Sequence, residues 1–289
     1  MPTRTASSAP RSLGSHPQRW RSLLTAVVLV LICACGATAE TGSSTTTSGT
    51  DSTLDAGTVG LPQGADPVDL NPADFTTEID NPYLPMVPGT RWTYREVGAD
   101  GEVVEVVVIA THTTRVIANG VTARVVRDTV TLDGEIIEDT FDWYAQDKDG
   151  NVWYLGEDTA EFENREITTT AGSFEAGVDG ALPGIIMPAN PATGMKYRQE
   201  YYEGEAEDNG EVLSIDEMAD VPWGHFEDLV LTKDTITIEP DVSQYKLYAR
   251  GIGVVLVLDV SGGSGREELV SVDTVGEGAG TGPLGNPNP

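Results

Sequence analysis

The stretch that comes nearest to chemistry is DWYAQDKDGNVWYLGED, Asp142 to Asp158. Asp147, Asp149 and Asn151 stand at alternate positions, the spacing at which oxygen ligands open a calcium loop. Such a loop wants glycine at its sixth place for the sharp turn, and Val152 stands there instead. Its twelfth place takes a bidentate glutamate, and Asp158 is a shorter ligand. Asp149-Gly150 is also a hairpin-turn dipeptide, with Trp143, Tyr144, Trp153 and Tyr154 clothing the strands on either side. The stretch reads as a hairpin tip. Calcium at Asp147, Asp149 and Asn151 is the one cofactor left open.

Other reactive constellations are scarce. Beyond residue 34 the histidines are His112 and His225, with no His-x-His or His-Glu-x-x-His spacing, which argues against a zinc or copper site. No Gly-x-Ser-x-Gly elbow occurs, and no glycine-rich phosphate loop leads into a helix. The densest acidic run, QEYYEGEAEDNGE, holds Glu200, Glu203, Glu205, Glu207 and Asp208 and reads as a solvated hairpin. A carboxylate pair of the glycoside-hydrolase kind stays open as an alternative, because 46 acidic residues always supply candidates. Trp143 and Trp153 read as core or cross-strand residues before they read as a sugar platform.

The elements that must position any site begin after a targeting segment. Arg4, Arg11, Arg19 and Arg21 form a basic region without acids, and LLTAVVLVLICA, Leu23 to Ala34, is an apolar run too short to span a bilayer. Ile32, Cys33, Ala34 and Cys35 resemble the lipobox of bacterial lipoproteins, with a small residue before the cysteine that becomes the mature N-terminus. The resemblance implies cleavage after residue 34 and acylation of Cys35. Cys33 and Cys35 are the only cysteines, so the mature domain would hold neither disulfide nor thiolate metal site. Residues 35–70, rich in Ser, Thr and Gly, read as a flexible tether.

Removal of residues 1–34 takes four arginines and no acid, moving the net charge from −29 to −33. That field repels nucleic acid phosphates and anionic lipid, which excludes DNA or RNA as a partner and leaves the membrane to be reached through the lipid anchor.

The remaining sequence is strand after strand. EVVEVVVIAT, TARVVRDTVTL and EIIEDTFDWYA alternate β-branched and polar residues between Asn119-Gly120 and Asp133-Gly134 turns. Landmarks recur at a nearly constant offset: Gly89 with Gly194, Trp92 with Tyr197, Asp128-Thr129 with Asp234-Thr235, and Tyr144-Ala145 with Tyr248-Ala249. The expectation is an all-β fold of two similar antiparallel six-stranded meanders, residues 71–180 and 181–274, arranged as a sandwich or a curved open sheet. Residues 275–289, rich in Gly and Pro, are expected to be disordered. PGTRWTY, VPWGHF and YARGIG, with DWYAQDKDGNVWYLGED before EAGVDGALPGIIMPANP, resemble a family of bacterial secreted and lipoprotein domains. That resemblance implies fold and location and brings no activity with it.

The join between the units carries an apolar run, Ile185, Ile186 and Met187. With Trp143 and Trp153 it marks a seam suited to an apolar ligand. The functional expectation is a membrane-anchored, extracytoplasmic, non-enzymatic binding or scaffold module. A hydrolase with a carboxylate pair and a calcium-binding surface protein are the alternatives. Cys35→Ala is expected to abolish acyl labelling and release the protein into the medium. An unlabelled variant that stays with the membrane would contradict the lipoprotein assignment.

Overall fold

The computed structural model describes residues 60–99 and 101–288. Cys35, the targeting segment and most of the expected tether lie outside the described residues. Each long alternating run forms a strand, as its β-branched content favours. The strands are β1 (Phe75–Thr76), β2 (Thr90–Val97), β3 (Val103–Val116), β4 (Thr122–Leu132), β5 (Glu135–Asp147) and β6 (Val152–Glu163). Then come β7 (Glu166–Thr169), β8 (Phe174–Glu175), β9 (Leu182–Met187), β10 (Lys196–Arg198) and β11 (Glu200–Tyr201). The last are β12 (Asp208–Val221), β13 (Gly224–Ile236), β14 (Ser243–Ala249), β15 (Gly253–Ser261) and β16 (Arg266–Thr274). Among the described residues the only helical element is a 3-10 turn at Pro72–Asp74, and no helix is long and apolar enough to cross a membrane.

β2, β3, β4, β5, β6 and β9 pair in succession, each antiparallel to the last, and β12 to β16 do the same. β16 pairs with β2 and joins the two runs on one side. A single segment joins them on the other. Its first part, β10, pairs with β12, and its second part, β11, pairs with β9. At the switch, Gln199 N donates to Asp208 O at 2.7 Å. The all-β fold of two six-stranded runs therefore takes the curved-sheet form. The sheet expected to be open is an almost closed barrel, since twist brings its edges together and closure pairs backbone groups that open edges would expose. The closing segment passes so near β9 that a Cβ on Gly184 would lie 2.2 Å from the Gln199 backbone. β9, counted with the second unit in the sequence, pairs with β6 of the first.

The matched landmarks occupy like places in the two runs. Gly89 and Gly194 have φ of 86° and 90° and donate to Ala110 O and Val212 O of the next long strand. Trp92 and Tyr197, Asp128 and Asp234, and Tyr144 and Tyr248 each sit on corresponding strands.

The chain ends are fastened to the outside of the barrel. Arg127, on the outer face of β4, is fully buried with Asp139 of β5, to which it makes a bidentate ion pair, Nε to Oδ1 at 2.8 Å and Nη2 to Oδ2. Its other donors reach the carbonyls of Gly280, Gly282 and Pro283, and Gly285 N donates to Asp139 Oδ2. Residues 275–289 were expected to be disordered. Through residue 288 they instead form an ordered cover, because Arg127 has more donors than Asp139 can accept. In the same way Arg198 donates to Pro183 O and to the carbonyls of Gly64 and Asp66, so the expected tether stops short of residue 70. Asp139→Ala would leave Arg127 charged and buried without its partner, costing about 3–5 kcal/mol. Tm should fall by roughly 10 °C, and Arg127→Met with Asp139→Leu should recover most of it. A scan showing no loss for the single variant would refute this account.

Candidate binding site in the barrel interior

Asp147, Asn151 and Trp153, singled out in the sequence, meet at the hairpin tip. Asp147 Oδ1 accepts from the backbone N–H of Asp149 and Asn151, and Oδ2 accepts from Asn151 Nδ2 and Trp153 Nε1, all at 2.8–2.9 Å. Asn151 Oδ1 accepts from Ala189 N at 2.9 Å. These oxygens hold the hairpin tip together. Trp143 faces outward beneath the Arg115 guanidinium, 3.8 Å from its ring centroid, and Trp153 faces outward edge-on to Phe75. Ile185 and Met187 are buried on that outer side as well. Of the proposed seam only Ile186 lines the interior cavity.

The interior holds what the sequence reading missed. Alternation along each strand sends Asp128, Asp142, Glu157, Glu200, Asp208 and Glu267 into a cavity of about 160 Å³. Asp142 and Glu157 are direct cross-strand partners on β5 and β6. Trp92, Tyr94, Tyr144, Tyr154 and Tyr248 form its aromatic wall. Trp92 Nε1 and Tyr94 Oη donate to the carbonyls of Ile252 and Val254, and Tyr144 stacks on Tyr154 with centroids 5.0 Å apart.

Leu84, Pro85, Met86 and Ile252 make an apolar roof. Asn81 Nδ2 ties the loop before it to Gly150 O and Pro188 O, and Gly251 N donates to Pro82 O. A separate depression of about 770 Å³ is edged by Glu96, Glu102, Glu135, Glu161 and Glu163. There Arg165 is engaged by both oxygens of Glu135.

Lys246 is the single basic residue lining the inner cavity, and its Nζ lies 3.0 Å from Asp234 Oδ2. Burial alone would lower its pKa, but Asp234, Asp208 and Glu267 together hold it above the usual lysine value. The carboxyls move the other way. Burial, then repulsion from their neighbours, raises Asp128, Glu157, Glu200 and Glu267 well above the ordinary carboxyl range. Burial also lifts Asp208 against the pull of Lys246. Asp142 is pushed to about 7 by burial, opposed by its bond from Tyr154, and Glu96 to about 7 by burial and Asp259. Tyr154 Oη lies 2.7 Å from Asp142 and 2.8 Å from Glu157. One phenol proton serves one of those contacts, so the other requires a protonated carboxyl. No protein donor among the described residues reaches either oxygen of Glu200, Oδ1 of Asp128 or Asp208, Oε1 of Glu157 or Oε2 of Glu267.

Glu200 and Asp208 belong to the run read as a solvated hairpin. Glu203 and Glu205 at its tip are exposed as expected, while Glu200 and Asp208 are 1% and 5% exposed. A carboxyl whose pKa is raised on folding stabilises the fold below its unfolded value, and that stability is lost as pH rises through the folded value. For Asp142 and Glu96 the window runs from about 4 to about 7. Stability should fall between about pH 4 and 7, by about 1.4 kcal/mol per pH unit for each carboxyl held protonated, and the melting temperature with it. Glu200→Gln should flatten that slope and raise Tm at the alkaline end. A flat profile in the parent protein would refute the buried-acid assignment.

No protein-family model matches the chain, and no curated protein sequence matches it. Two solved structures align with it at low similarity. A Bacteroides fragilis protein, described as exported and YmcC-like in fold, aligns at 15% identity and a TM-score of 0.39, covering 66% of this chain and 99% of its own. A Parabacteroides distasonis protein, described as a lipoprotein, aligns at 13% identity and a TM-score of 0.39, covering 66% of this chain and 97% of its own.

Proposed function

We propose that the chain is an extracytoplasmic lipoprotein, anchored through Cys35, that works as a non-enzymatic binding module with its ligand site inside the barrel. The observation that carries this reading is the roofed interior cavity, whose buried carboxyl oxygens have no protein donor. A scaffold has no use for such a cavity, since apolar side chains of equal volume would fill it at lower cost. The interior replaces the outer seam as the site, because Trp143, Trp153, Ile185 and Met187 are buried on the far side of the sheet. Trp143 and Trp153, 3% and 7% exposed, give no open sugar platform at the hairpin named in the sequence.

The test uses the mature lipidated chain in detergent. Thermal-shift and calorimetric titrations would cover four solute classes: neutral sugars, zwitterionic amino acids, aliphatic carboxylates and alkylamines. Ile186→Trp, which fills the cavity from β9, is the comparison. At least one class should stabilise the parent protein and lose its effect in Ile186→Trp. If no class binds either protein, the interior is structural and the scaffold reading replaces this one.

A further inference from the structure

The composition of the cavity wall says which chemical class belongs inside it, an inference that rests on the interior being a ligand site. Six carboxyls line the cavity against one lysine, and that lysine is already taken up by Asp234. Glu200 is 1% exposed, faces the cavity and has no protein donor on either oxygen. A carboxylate buried in that state is strongly unfavourable unless a positive charge or a proton neutralises it. A neutral polyol would supply hydrogen bonds and no charge, and an anion would add to the repulsion.

A bare metal ion fits poorly too. Among the described residues no three acidic, histidine or cysteine groups converge closely enough to hold one. The carboxyls are spread around a ring and alternate with Trp92, Tyr94, Tyr144 and Tyr248, and aromatic faces attract ammonium groups. The volume is near that of an engineered cavity of about 150 Å³ that accepts benzene, which sets a ligand of about six to eight heavy atoms.

We propose that the barrel interior binds a small organic cation, an alkylammonium or quaternary ammonium compound, with its charge against Glu200 and Asp208 and its carbon skeleton against the aromatic wall and the Leu84–Ile252 roof.

The probes are choline, butylammonium, calcium, and the neutral carbon isostere of choline in which a tert-butyl group replaces the trimethylammonium. Calorimetry on the mature chain should show choline or butylammonium binding at least about tenfold tighter than the isostere, a difference of about 1.4 kcal/mol. Glu200→Gln and Asp208→Asn should each weaken the cation at least about tenfold and leave the isostere unchanged. Asp149→Asn, at the outer hairpin tip, should change neither. Retained melting transitions show that the variants fold. Equal affinity for cation and isostere, or calcium binding without either organic cation, would overturn this proposal. Binding of a sugar or a carboxylate in place of the cations would overturn it while leaving the interior site intact. Silence from every solute class would remove both.

Discussion

A sheet of twelve strand positions closed on itself encloses more space than its inward side chains can fill with ordinary apolar residues. Eight strands make an interior that side chains just fill, and sixteen or more leave a water channel. This barrel lies between those limits, and its inward residues reflect the problem. Tyrosine, tryptophan and long acidic side chains reach across from opposite walls. The closing segment, residues 196–201, is where the constraint is tightest. Gly184 has no room for a side chain because the backbone of Gln199 runs directly against it. Everything else about the interior follows from that closure. Opening the edge would let water reach Glu200 and Asp208 and remove the reason for their raised pKa values.

Buried acid is treated in opposite ways on the two faces of the same sheet. On the outside, Asp139 is matched by Arg127, and every donor of that arginine finds an acceptor in β5 or the C-terminal cover. On the inside, Asp128 is adjacent in sequence to Arg127 and has no comparable partner. One residue step along β4 separates a satisfied ion pair from a carboxyl whose pKa burial and its acidic neighbours raise. Satisfied pairs fix structure, and unsatisfied buried groups are expensive enough that selection keeps them only for a use.

The fold was legible because strand periodicity and turn dipeptides are local signals. Asn119-Gly120, Asp133-Gly134 and the runs between them place β3, β4 and β5 almost to the residue. Closure was not legible, since it depends on twist accumulated over many strands and on one segment that changes partner at Gln199. The repeated landmarks held more than was read from them. Asp128 with Asp234, and Tyr144 with Tyr248, recur as landmarks, and Asp128, Tyr144 and Tyr248 line the cavity while Asp234 meets its Lys246. Polar residues repeated at an inward parity are themselves a site signal. The hairpin read as solvated failed for the same reason: charge density suggested exposure at Glu200, whereas strand parity turned it inward. The tail misled because its glycines and prolines offer free carbonyls, and Arg127 lay about 150 positions away in sequence, with 153 between it and Gly280.

Arg198 also gives the barrel a mechanical orientation. It grips the carbonyls of Gly64 and Asp66 while its own backbone belongs to β10, where N–H of Arg198 donates to Pro62 O. Tension applied along the chain from its N-terminal side arrives first at this residue. It is delivered to the short strand that closes the sheet, and the long ladders between β2 and β6 or β12 and β15 are loaded only afterwards. β10 pairs with β12 over three residue positions and β11 with β9 over two, so the segment that meets the force first is held on both sides by short ladders. A pull on the described N-terminal residues is therefore borne by the segment that closes the sheet.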